Sequence, residues 1–232
     1  MEHEIKNIDF CSILDRLPNE YSPEKEAMLR RLEEEEKLDV IRKRLSYYRS
    51  KESGVPRFLW NDSLETYHPR TEAEKSNYEK VLSFVNDDDN HKTLILSGNC
   101  GTGKSHLGAG IIHSLGGKMI DSDTLLLLVE SGDNFKSSEN KLEILSRFSN
   151  YNMLVIDEIG RTMDSVKEKG YLSYILRNRY NNRLPTVLIS NLAKKELIKF
   201  FGEAIYDRLK ETCIYLEFTG ESYRPNKRDI TL

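Results

Sequence analysis

The chain is poor in cysteine, has no long apolar run and carries no surplus of either charge. Its three cysteines, Cys11, Cys100 and Cys213, are scattered through 232 residues, and no two form a C-x-x-C pair. That excludes a disulfide framework and a zinc knuckle. The five histidines are equally dispersed, which argues against a structural metal cluster. The longest apolar run, Leu125 to Val129, is far short of the roughly 20 residues a membrane-spanning helix needs. The opening MEHEIKNIDF is polar and acidic, unlike a secretory leader, so a soluble cytoplasmic protein is expected. Lys and Arg number 35 against 38 Asp and Glu, a formal net charge of −3. A total so near neutral selects no class of partner, although local patches can still bind nucleic acid.

What is present divides into two parts. Residues 1–55 show no strand pattern. Ser22-Pro23, a cap followed by a first-turn proline, predicts a long charged helix. Leu29, Leu32, Ile41, Leu45 and Tyr48 recur at roughly helical spacing, with the acidic Glu33–Glu36 and basic Arg42-Lys43-Arg44 on the remaining faces. The region reads as a helical partner-binding extension. Gly54-Val55-Pro56 marks a break, and 56–232 reads as one domain. There, short apolar runs alternate with helical patterns: Thr93–Ser97, Lys118–Ile120, Met153–Asp157, Thr186–Ser190 and Cys213–Phe218. Such continuous runs suit strands covered on both faces, and their alternation with helices predicts an α/β domain with a parallel sheet.

Gly98-Asn99-Cys100-Gly101-Thr102-Gly103-Lys104-Ser105 fits G-x-x-x-x-G-K-[ST]. It follows the strand TLILS and opens a helix, the context that makes such a match a phosphate-binding loop. Glycines let the backbone wrap an anion, and the helix N-terminus adds a favourable partial charge. The loop predicts ATP and Mg2+ as ligands, with Lys104 on the β- and γ-phosphates and Ser105 on the metal. His106 follows directly.

Met153-Leu154-Val155-Ile156-Asp157-Glu158 is an apolar strand ending in two carboxylates. Asp157 falls at the sheet edge that carries the loop and is the expected magnesium partner; Glu158 is placed to act as general base toward water. Thr186–Asn191 repeats the pattern with an amide, so Asn191 is a candidate for contact with the γ-phosphate or the lytic water.

GNCGTGKSH, MLVIDEIG, PTVLISN, Tyr206-Asp207-Arg208-Leu209 and Glu221-Ser222-Tyr223-Arg224, in this order, resemble AAA+ ATPases. More narrowly, they are similar to replicative helicase loaders of the DnaC and DnaI type and to the IstB transposition ATPases. The resemblance implies a five-stranded parallel sheet of order 5-1-4-3-2 and subunits that assemble side by side. It makes Arg208 the arginine finger of a neighbouring site and Arg224 a sensor of bound nucleotide. Gly54–Phe58 matches the segment beside the adenine, with Val55 and Phe58 packing on the base. No C-terminal helical lid is expected, because the sequence ends shortly after the fifth strand. Arg161 has no assigned counterpart, and the N-terminal region lacks the zinc-ligand cysteines of DnaI-type loaders.

In the loaders an insertion after the second strand touches single-stranded DNA. Residues 122–150 fill that slot here, with Phe135, Lys136, Lys141 and Arg147 as candidate contacts among interleaved acids. The expected function is therefore ATP-dependent delivery of a replicative helicase, bound by residues 1–55, onto single-stranded DNA. An IstB-like transposition regulator and a nucleotide-gated adaptor with negligible turnover are the alternatives.

Overall fold

The computed structural model describes residues 23–87, 91–133, 138–161 and 165–224. Cys11, Ser22, Phe135 and Lys136 lie outside the described residues. The chain divides after Arg44 into two units. Residues 45–55 therefore go with the larger unit rather than with the extension.

The first unit contains most of helix α1 (Pro23–Tyr48), which starts at the proline that announced it. Asp39 and Lys43, one turn apart, form an exposed ion pair at 2.8 Å. Of the apolar stripe expected along this helix, Leu32 is half-buried and Tyr48 is buried. Leu38 and Val40, two residues apart and so on opposite sides of a helix, are both exposed.

The second unit begins with the last turn of α1. There Tyr48 is buried and donates its hydroxyl to the carbonyls of Leu59 and Asp62 at 2.8 and 2.7 Å. A short 3-10 turn (Arg57–Leu59) and α2 (Glu72–Val85) lead into the sheet. The sequence then alternates as β1 (Thr93–Gly98), α3 (Lys104–Leu115), β2 (Lys118–Asp121), α4 (Ser122–Ser131) and α5 (Lys141–Asn150). It continues as β3 (Leu154–Ile159), α6 (Ser165–Asn181), β4 (Thr186–Ser190), α7 (Lys194–Phe201), α8 (Glu203–Thr212) and β5 (Cys213–Phe218). The five strands are all parallel, in the order β2-β3-β4-β1-β5. This is the order anticipated from the resemblance.

Alternation along each strand feeds two cores. Leu94, Leu96, Val155, Val187 and Ile189 face α2 and α3, against Val81, Phe84, Leu107 and Ile111. Ile95, Leu154, Ile156 and Leu188 point the other way, toward Leu125, Phe148, Leu172, Leu197 and Leu209 on α4–α8. Each such side chain withdrawn from water contributes about 1.5–3 kcal/mol, so the central strands hold the sheet edge above them rigid.

A buried arginine fixes the insertion. Arg179 on α6 is 1% exposed. It donates to Thr186 Oγ1 at 2.8 Å, to the carbonyls of Tyr151 and Pro185 at 2.6 Å, and to those of Phe148 and Ser149 at the end of α5. Burial works against its charge; the carbonyl cluster, including a helix C-terminus, favours it. On the outer face, Lys141 pairs with Asp133 at 2.6 Å and Arg147 with Glu139 at 2.8 Å. Glu130 collects Lys167 and the Tyr171 hydroxyl, and is thereby held down at about 2. Lys141 and Arg147 are thus already neutralised by neighbouring acids.

Candidate functional site

The carboxyl ends of β1, β3 and β4 meet on one cavity of about 640 Å³, a volume within the usual range for small-molecule sites. Cys100, Gly101, Gly103, Lys104, Ser105 and His106 line it from the loop, Asp157 and Glu158 from β3, and Ile189, Ser190 and Asn191 from β4. Phe58 and Arg224 also reach it. Loop, carboxylates and amide, distant in sequence, therefore face one volume.

The loop's shape is set from behind. Gly98 has φ 123°, and a Cβ there would stand 2.2 Å from the Phe218 carbonyl oxygen of β5, so only glycine fits. Gly103, at φ 85° and ψ 10°, supplies the left-handed step that lets α3 begin directly at Lys104. Asn99 N–H donates to the Phe218 carbonyl at 2.8 Å, and Thr102, fully buried, donates its hydroxyl to Asn99 O at 2.8 Å. Gly98, Asn99 and Thr102 thus hold the loop without lining the cavity.

Lys104 is 5% exposed. Its ammonium donates to the carbonyls of Gly98 at 2.8 Å and Asn99 at 2.5 Å, inside the curve of the loop. Burial pushes its pKa below the usual lysine range, opposed by Cys100 and by Asp157. Asp157 is raised above the ordinary carboxylate range, again chiefly by burial. The Ser105 hydroxyl and the Glu158 N–H, which donates to Asp157 Oδ1 at 2.7 Å, work against that rise. Ser105, in the first turn of α3, thus acts on Asp157 at the end of β3.

The end of β3 is irregular. Ile156 pairs with Leu188, and the next pairing is Ile159 with Ser190. Three steps along β3 therefore face two along β4, which is a bulge of one residue. Bulges near sites re-aim side chains. Here the backbone is also in the left-handed region, with Glu158 at φ 58°, a conformation that is uncommon and strained for a residue with a Cβ. The Glu158 carboxylate turns back to an ion pair with Arg161, three residues on.

Val55 is buried at 5% exposure and does not line the cavity; its carbonyl accepts the Trp60 indole N–H at 3.0 Å. Phe58 is 76% exposed at the rim. His106 sits on the cavity wall, its Nε2 at 2.9 Å from Ser63 O and 3.1 Å from Thr66 Oγ1. Arg208, on α8, is not among the cavity-lining residues of its own chain.

The site also contains residues that spacing alone did not single out. Tyr67, Arg70 and Tyr223 line the cavity. The Arg70 guanidinium lies 3.6 Å from the Tyr223 ring centroid, a cation–π contact. Tyr223 N–H donates to Gly101 O at 2.7 Å, and its hydroxyl has two acceptors in reach, His68 O at 2.9 Å and the buried Glu74 at 2.8 Å. The segment after β5 is thereby strapped across the phosphate loop. The run Tyr67-His68-Pro69-Arg70 was the available signal, but only the tertiary contact gives it meaning.

The family model for IstB-like ATP binding proteins matches residues 24–230. The chain belongs to this IstB-like family. Among its relatives is the replicative helicase loader DnaC of Escherichia coli strain K12, 33% identical over 181 residues, 74% of this chain and 73% of that protein. DnaC of Buchnera aphidicola subsp. Baizongia pistaciae is 32% identical over 183 residues, with the same coverage. The IstB-like core shares its fold with the crystal structure of the DnaC helicase loader (TM-score 0.62, 24% identity, 71% of this chain and 100% of that one). It also shares it with DnaI (TM-score 0.58, 22% identity, 73% and 94%). No helix among the described residues of this IstB-like chain is long and apolar enough to cross a membrane.

Proposed function

We propose that this chain is a Mg2+-dependent ATPase of the AAA+ type that delivers a replicative helicase onto single-stranded DNA in the cytoplasm. The observation that carries the reading is the shared cavity: an anion-binding loop, its buried lysine and two carboxylates of different environment on one volume of about 640 Å³. The kinship with DnaC directs the chemistry to helicase loading.

In this reading the loop N–H groups and Lys104 take the phosphates. Ser105 and Asp157, which line the same cavity, fit a magnesium ion, which characteristically takes one or two protein oxygens and completes its shell with phosphate and water. When bound, the ion neutralises charge on the phosphate oxygens. Glu158 accepts a proton from the attacking water, and Asn191 orients that water or the terminal phosphate. Glu158 must first leave Arg161. Phe58, Tyr67 and the Arg70–Tyr223 stack form the wall for the base, and Arg224 reports the bound nucleotide. Arg208 serves a neighbouring subunit, which explains why it does not line its own cavity.

The extension before residue 45 is the helicase contact in this scheme, and residues 122–150 face DNA. Lys141 and Arg147 would have to exchange their acid partners for phosphate, so DNA binding should fall steeply with added salt. The IstB-like family match supports a second reading, a transposition regulator acting on duplex DNA. Affinity capture with ATP separates the two. The full chain should retain a replicative helicase, and a chain lacking residues 1–44 should not. Capture of a transposase without helicase would move the assignment to the second reading.

A further inference from the structure

Glu168 on α6 is a carboxylate with 2% exposure. An ionisable group so deeply buried is costly unless its oxygens are satisfied. Its Oε1 accepts two bonds, from the Ser122 hydroxyl at 2.5 Å and from the Gly160 N–H at 3.0 Å. Gly160 is the residue immediately after the bulge that carries Asp157 and Glu158. Ser122 opens α4, the first helix of the insertion. One oxygen thus joins α6, the end of β3 and the start of α4.

The bulge needs such a brace. One residue of β3 between Ile156 and Ile159 has no ladder partner on β4, and Glu158 adopts a left-handed conformation with no glycine to ease it. Backbone of this kind persists only where its surroundings over-determine it. Two side chains do so. From β4, Ser190 donates its hydroxyl to the Ile159 carbonyl at 2.7 Å. From α6, Glu168 takes the next N–H along. Ile159 itself is 1% exposed and cannot move outward. Three fixed points therefore follow Glu158 within two residues, while the Glu158 side chain remains on the cavity.

We propose that Glu168 is a positioning residue that clamps the Gly160 peptide to the start of α4 and thereby sets the aim of Glu158. The proposal rests on Glu158 being the general base. It makes the insertion part of the catalytic geometry: a shift of Ser122 at the head of α4 reaches the base through a single carboxylate oxygen.

The bland alternative is an acidic residue in the first turn of α6 that steadies the helix dipole. Glu168→Gln and Glu168→Asp separate the two, because a glutamine keeps an acceptor oxygen at the same reach without charge, whereas an aspartate keeps the charge and loses the reach. Steady-state ATP turnover of the full chain and hydrogen exchange of the Gly160 amide by NMR are the readouts. The proposal expects Glu168→Asp to lower kcat by about 100-fold, the scale of an ångström-level misplacement, with KM for ATP unchanged and the Gly160 amide deprotected. Glu168→Gln should retain most of the wild-type kcat and the protected amide. The reverse pattern, glutamine impaired and aspartate normal, would overturn it, as would kcat and KM changing together in both variants. Glu158→Gln is run in parallel. If that variant turns over ATP at the wild-type rate, the general-base reading fails, and the Gly160 amide alone then decides whether Glu168 clamps the bulge.

Discussion

The phosphate loop and the end of β3 face the same cavity but are built by opposite means. The loop is made from its own sequence: glycines at special backbone angles, a helix that starts at Lys104, and carbonyls that hold the lysine ammonium. Its supports, Phe218 and Tyr223, brace a shape already encoded locally. The end of β3 is made by strangers. A bulge, a left-handed Glu158 and the Gly160 peptide are held by Ser190 and Glu168, from elements that lie later in the chain. In the proposed function the first region binds by preformed backbone and the second aims a carboxylate by borrowed contacts. Damage to the first should appear as lost affinity, and damage to the second as lost turnover.

The largest expected loss of affinity tests the first half of that contrast. Lys104→Ala should weaken nucleotide binding by about 100-fold, since hydrogen bonds to charged groups are worth about 1.5–3 kcal/mol and each 1.4 kcal/mol is tenfold. Titration with a fluorescent ATP analogue measures it, and near-normal affinity would break the contrast.

A pH series gives the next effect. In the proposed function, nucleotide binding needs Lys104 charged and Asp157 ionised. Burial lowers the lysine and raises the aspartate, so affinity should fail at a higher acid limit and a lower alkaline limit than ordinary side chains would set. Stability follows the same sign. A carboxylate whose folded pKa exceeds its unfolded one contributes stability at low pH that is lost as pH rises through the folded value. Asp157→Asn should therefore raise the melting temperature of the free chain at neutral pH while weakening Mg2+-dependent nucleotide binding. A lowered melting temperature would mean that the Ser105 and Glu158 hydrogen bonds outweigh the burial.

The smallest effect belongs to the second region. Ser190→Ala leaves the Ile159 carbonyl without its hydroxyl donor, at a cost of about 1–3 kcal/mol for a buried acceptor. Chemical denaturation should show that loss, and kcat should fall by a few-fold with KM unchanged.

The same contrast explains what could be read from residues alone. Local signals carried the loop, the parallel strands and the helix starting at Pro23, because continuous apolar runs and G-x-x-x-x-G-K-S need no tertiary partner to be recognised. The sheet order was inferred from the resemblance to loaders, not from spacing. The bulge was invisible, since an extra residue in β3 exists only relative to β4. So was Glu168, one acid among 38 Asp and Glu, and the stack of Arg70 on Tyr223 joins residues far apart in the chain. Val55 shows the opposite error: an apolar residue beside a predicted site that folds into the core instead. Lys141 and Arg147 were candidates among interleaved acids, and only the fold assigns their partners, Asp133 and Glu139.

If both regions act on one ATP molecule, the loop binding it and Glu158 hydrolysing it, loss of the Glu158 carboxylate should leave binding and remove turnover. A single-turnover assay with Mg2+ and single-stranded DNA tests this directly in wild type and Glu158→Gln. Both proteins should bind ATP equally, and the variant should release phosphate more slowly than wild type by about 10²–10⁴-fold. Equal phosphate release by the two proteins would contradict it.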